Sequence, residues 1–173
     1  MLEGGEILFD EFLETIVVER SGLSYHDAAP FETTAPSLGA ALLTPTRIYV
    51  KPLLAALAAA PGAIKGLAHI TGGGLVENVP RVLPKHLSAV VDVASWTLPP
   101  VFRWLKKAGG VTGMEMGRAF NNGIGMIIVV GKGDLEHVKG LLEEKGEKVF
   151  VVGELAARGE DEGCVLQNLE SWE

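Results

Sequence analysis

Leu8, Phe9, Phe12, Leu13, Ile16 and Val17 recur at helical spacing with Glu11, Glu14 and Glu19 on the opposite side, which predicts an amphipathic helix of about three turns. From 21 to 45 the period vanishes and Pro, Thr, Ser and Gly crowd the chain, predicting a long surface excursion. A second helix is predicted over 48–59, with Pro52 in its first turn and Pro61-Gly62 ending it. Strands are predicted at 66–70, 87–93 and 124–130. The last of these is almost wholly aliphatic between Gly123 and Gly131, so it is expected at the centre of its sheet, covered on both faces. Residues 75–79 read as one helical turn, and 99–108 as a helix that opens on proline. A further helix is expected over 134–145, with Asp134 as N-cap and Gly146 just past its end. Strands at 148–152 and 164–169 close the chain. Four or five strands interleaved with helices predict an α+β or α/β architecture, and no internal repeat is present.

Composition narrows the classes. The 173 residues are 47% hydrophobic and 21% charged, the usage of a globular domain rather than a disordered chain. Fifteen Lys and Arg stand against 22 Asp and Glu, a net charge of −7, which argues against a nucleic-acid or anionic-membrane partner. Cys164 is the only cysteine, so no internal disulfide and no thiolate cluster can form, and a reducing, cytoplasmic location is expected. No apolar run approaches the ~20 residues that span a bilayer, and Met1-Leu-Glu-Gly-Gly-Glu does not read as a secretion signal.

Candidate chemistry gathers in a few places. His69-Ile-Thr71-Gly72-Gly73-Gly74 follows a predicted strand and precedes a helical turn that carries Glu77, Asn78 and Arg81. Consecutive glycines there leave backbone N–H groups free to point at an anion, the physics of a phosphate cradle. The alternative is a glycine turn forced by tight packing, with His69 a satisfied strand-end histidine. Phe120-Asn-Asn-Gly-Ile-Gly-Met126 carries a Gly-x-Gly before a strand rather than after one, so it is no dinucleotide fingerprint. Glycines at a strand entry allow close approach, and Asn121 is the polar residue to follow there. Arg47 and Lys51, four apart, would share a helix face if the helix starts early, for an anionic ligand or simply for solvent. His26, His86 and His137 are scattered without ligand spacing, and no protein-only metal site is expected. Cys164 reads as a packing residue.

Four motifs together resemble one family. Ala68-His-Ile-Thr-Gly-Gly-Gly-Leu-Val-Glu-Asn-Val-Pro-Arg-Val-Leu-Pro84 looks like the signature of phosphoribosylformylglycinamidine cyclo-ligase, or aminoimidazole ribonucleotide synthetase. Leu42-Leu-Thr-Pro-Thr-Arg-Ile-Tyr-Val-Lys51, Pro99-Pro-Val-Phe-Arg-Trp-Leu105 and Met116-Gly-Arg-Ala-Phe-Asn-Asn-Gly-Ile-Gly-Met126 follow the same family's order. Gly22-Leu-Ser-Tyr-His-Asp-Ala-Ala-Pro30 and Gln167-Asn-Leu-Glu170 look closest to the form within animal trifunctional purine enzymes. The resemblance covers the C-terminal half of that family, with a divergent helix over 1–20 and the substrate-side domain over 21–173. It departs from the family at Leu8 to Leu13 and at Asn122.

The resemblance implies an α+β domain with a mixed sheet of four or more strands and packed helices. It also implies ATP-dependent closure of the imidazole ring of formylglycinamidine ribonucleotide. ATP and Mg²⁺ would sit mainly on an N-terminal half, and the full-length enzyme would be a homodimer. His69 would be catalytic, and Thr71, Gly72, Gly73, Gly74, Asn78, Arg81 and Asn121 would hold substrate or its phosphate. Other outcomes of the same motifs are a non-catalytic binding or oligomerisation module, or a related ATP-using protein such as selenophosphate synthetase.

Overall fold

A computed structural model describes residues 15, 17–159 and 163–173. Chain order runs α1 (17–21), α2 (Leu38–Leu42), α3 (Val50–Ala59), β1 (Ile64–His69), α4 (Gly74–Asn78) and β2 (Leu87–Asp92), then α5 (Pro100–Gly109), α6 (Gly113–Ala119), β3 (Met126–Val130), α7 (Leu135–Glu143), β4 (Gly153–Ala157) and β5 (Cys164–Gln167). The fold is α+β. Most predicted elements stand within a few residues of their expected bounds, and α1 continues the period of the first predicted helix. Leu8 to Leu13, where that helix was expected to begin, lie outside the described residues.

Strand pairing is mixed, but the five strands fall into two sheets. β1 and β3 form an antiparallel pair with His69 opposite Met126, while β2 lies between β4, antiparallel, and β5, parallel. The expected centrality of 124–130 is therefore corrected: β2 is the central strand, and β3 has one strand neighbour among the described residues. Burial of β3 comes from helices and loops instead. Ile127 packs on the main core, which holds Leu75, Val91, Trp96, Leu105, Met116 and Trp172. Ile128 and Val130 pack on a second cluster, Ala56, Ala60, Val138 and Leu142, where α3 meets α7. The other side of β3 borders a largely apolar cavity of about 620 Å³ that residues 148–152 also line. Those residues were expected to be a strand; the strand begins at Gly153 instead, where pairing with β2 starts.

Local chemistry explains the helix ends. Pro100 opens α5, and Gly110 closes it in the left-handed region at φ 63°, its N–H reaching the carbonyls of Lys106 and Lys107. Thr112 caps α6 by accepting from the Glu115 N–H at 3.2 Å. Asp134 makes no side-chain cap bond to α7, contrary to expectation. Two short helices, α2 and α6, stand where none was predicted. Among the described residues no helix is long and apolar enough to cross a membrane.

Candidate functional site

β1 delivers His69 to the surface and buries Ile70, whose N–H donates to the Gly125 carbonyl at 3.0 Å. The chain then turns sharply: Gly74 N–H closes on the Thr71 carbonyl at 3.0 Å, with Gly73 at φ 92° and Gly74 at φ 56°. Only residues at ease in the left-handed region make two such steps in succession. Gly74 is further constrained, because a β-carbon there would overlap the Gly117 carbonyl oxygen on α6. The triple glycine thus serves packing at Gly74 and leaves Thr71, Gly72 and Gly73 along the accessible rim.

Asn78 holds this turn from beneath. It is 6% exposed, and its Nδ2 donates to the carbonyls of Thr71, Gly72 and Gly74 at 3.3, 3.0 and 2.8 Å. Its Oδ1 accepts from Arg81 Nη1 at 3.5 Å. Asn78, expected as a ligand contact, therefore directs its amide into the loop. Arg81 also pairs with Glu77 at 3.6 Å, and that carboxylate leans over Gly73, close to where a β-carbon would sit. An anion approaching Gly73 would have to move the Glu77 side chain.

The β1–β3 pairing brings the second motif beside the first. Asn121 Oδ1 accepts from Gly123 N–H at 2.9 Å and its carbonyl accepts from Ile124 N–H at 2.9 Å, so Asn121 shapes the turn into β3. Asn122 is fully buried at φ 52°, with Nδ2 donating to the Met116 and Phe120 carbonyls at 2.7 and 2.9 Å. Trp96 Nε1 donates to the Asn122 carbonyl at 2.9 Å. The family difference at Asn122 is thus filled by a residue with a full structural role.

Tyr49 joins the same corner, and the residue-by-residue reading missed it. Its ring lies edge-on to His69 with centroids 6.1 Å apart, and its hydroxyl seats against Gly125, where any β-carbon would collide with it. Burial raises the Tyr49 phenol above its ordinary value; the nearby Glu147 carboxylate adds to the rise and Arg47 opposes it. Arg47 itself lies before α3, off the helix face it was expected to share with Lys51. It makes a bidentate pair with Glu147 at 2.8 and 3.1 Å, and that hydrogen bond and charge raise its already high pKa. Arg47 is a tether rather than a ligand cation. Among the described residues, no three His, Cys, Asp or Glu gather as a cation site, and Cys164 is buried at the start of β5.

His69, Thr71 and the glycine rim, with Tyr49 and Gly125 alongside, therefore form one corner at the ends of β1 and α3 and the entry to β3. A family model described as "AIR synthase related protein, C-terminal domain" matches residues 15–165. The chain belongs to that family. The Bifunctional purine biosynthetic protein ADE1 of Schizosaccharomyces pombe is 49% identical over 158 residues, covering 91% of this chain and 20% of that protein. This AIR synthase related domain spans about a fifth of the length of that curated relative. The family read from the four motifs is borne out, as is its C-terminal portion.

Proposed function

We propose that this domain is the substrate-side part of a phosphoribosylformylglycinamidine cyclo-ligase, acting in purine biosynthesis. The proposed reaction is ATP-dependent closure of the imidazole ring of formylglycinamidine ribonucleotide. The observation that carries the reading is the glycine rim: accessible backbone at Gly72 and Gly73, left-handed at Gly73, directly after an exposed histidine. That arrangement suits a phosphate or polar ribose edge approaching a histidine that can exchange a proton near neutral pH. The name of the fission yeast relative supports the pathway.

In this reading Asn78 fixes the rim from below, Arg81 positions Glu77, and Asn121 shapes the neighbouring turn. ATP and Mg²⁺ would be held mainly by an N-terminal half, since the described carboxylates do not gather to hold the metal. The apolar surface on and before α3, with Ile48, Val50 and Leu54 at 79%, 59% and 61% exposure, suits cover by that half or by the second subunit of a homodimer. A soluble, cytoplasmic enzyme fits the composition. The contrasting reading, a non-catalytic binding module, is favoured by one observation, the Glu77 carboxylate over Gly73.

The test is steady-state ADP release dependent on formylglycinamidine ribonucleotide, with this polypeptide alone and with an N-terminal half supplied. Activity only in the mixture is expected. ADP release by this chain alone, or none in the mixture although the two parts associate, would contradict the reading.

A further inference from the structure

We propose a second binding site in this domain, a cavity of about 560 Å³ between α4, α6 and β5 that takes the phosphate group of a small molecule. The chain has six arginines, and three of them, Arg81, Arg118 and Arg158, line this one cavity from three separate stretches of chain. In a protein of net charge −7, such a gathering of like charge is costly unless an anion lies among the guanidinium groups. Glu77 is the one carboxylate lining the cavity among the described residues.

The internal partners of the arginines are weak. Arg118 reaches Glu115 at 3.8 Å and Arg81 reaches Glu77 at 3.6 Å, with all four side chains about half exposed. Arg158 is anchored through its backbone, its N–H donating to the His86 carbonyl at 2.9 Å. Buried Cys164 and Leu166 contribute apolar wall, which strengthens charge pairing above it. A planar carboxylate is satisfied by one guanidinium fork. Three forks from different directions instead match a tetrahedral oxyanion of higher charge. The site goes beyond the ring-closing reading and does not rest on it, because binding here needs no reaction.

The experiment is a titration of the ¹⁵N-labelled 173-residue chain with inorganic phosphate, and separately with acetate at matched ionic strength. Saturable shifts are expected at the arginine Nε–H groups of Arg118 and Arg158 and at the amides of 163–165, stronger for phosphate than for acetate. Arg118→Ala and Arg158→Ala should each weaken phosphate binding about tenfold, the loss of one charge-assisted contact, while exposed Arg103→Ala leaves it unchanged. No saturable shift, equal binding of acetate, or an equal loss in Arg103→Ala would overturn the proposal. Binding seen only in the variant E160Q/D161N/E162Q would mean that the chain's own acids fill the cavity, and would overturn it too.

Discussion

Tyr49 meets His69 edge-on, ring centroids 6.1 Å apart, although twenty residues and a strand separate them in sequence. The contact depends on Gly125, which leaves the Tyr49 hydroxyl a seat. Partial burial disfavours the phenolate, so the folded chain holds this proton to a higher pH than the unfolded chain does. The sign follows: stability carried by the neutral phenol is intact below about pH 10, the ordinary tyrosine value, and falls as pH rises beyond it. The chain has two tyrosines, so the experiment is clean. The difference in phenolate absorbance between the parent and Tyr49→Phe should titrate with a midpoint above 10. A midpoint at or below 10 would contradict the buried placement.

Asn78 invites a substitution that separates support from ligand contact. Asn78→Ala leaves the inward carbonyls of Gly72 and Gly74 without their amide partner, at about 1–3 kcal/mol. Asn78→Asp should cost more, since a carboxylate oxygen would then face three carbonyl oxygens. Urea melts of the two variants check both the loss and its order. A wild-type melt for Asn78→Ala would return the residue to the ligand-binding surface.

Gly74 and Gly125 both lack room for a β-carbon, yet their substitutions should differ. At Gly74 the obstacle is backbone, the Gly117 carbonyl, and φ is 56°, so Gly74→Ala should cost on the order of 3 kcal/mol or more. At Gly125 the obstacle is the end of the Tyr49 side chain, which can swing outward, so Gly125→Ala should cost about 1 kcal/mol. It should also expose Tyr49, read as a red-to-blue shift reversal in tyrosine difference absorbance on solvent perturbation. Equal losses for the two glycines would mean that α6 can yield at Gly117.

These contrasts mark what a single sequence carries. The order His69 to Gly74, strand then glycine turn then helix, is written in local residue types, because glycine is needed where φ turns positive. The inward turn of Asn78 is not written there, since its acceptors are backbone carbonyls indistinguishable in sequence. Aliphatic β3 looked central because apolar runs imply cover; helices α3 and α7 supply that cover instead of strands. The last strand pairing was misjudged for a related reason: hydrophobicity peaks at 148–152, while β4 is exposed and set by its register with β2. Helix α6 was hidden by Gly113 and Gly117, which lower helix propensity, although Thr112 with Glu115 was a readable capping pair. At the candidate site, the motif fell inside a segment whose family could be read, but Tyr49 came into view only through the packing that brings α3 to β1.

His69 is the residue on which the functional reading is most exposed. It is solvent-accessible at the end of β1, and the recorded ring contact is the edge of Tyr49, so His69→Ala should cost less than about 1 kcal/mol of stability. If the histidine exchanges a proton during ring closure, the same variant in the assembled enzyme should lose roughly a hundredfold or more in kcat. A structural histidine would show the opposite split. The two readings are separated by measuring a melting curve and steady-state rates on one preparation, with Tyr49→Phe as companion. Removal of the Tyr49 hydroxyl keeps the ring edge against His69, so that variant should retain most of its kcat. If His69→Ala melts the domain while the folded remainder keeps full activity, the histidine belongs to the packing of β1 and the rim must find its chemistry elsewhere.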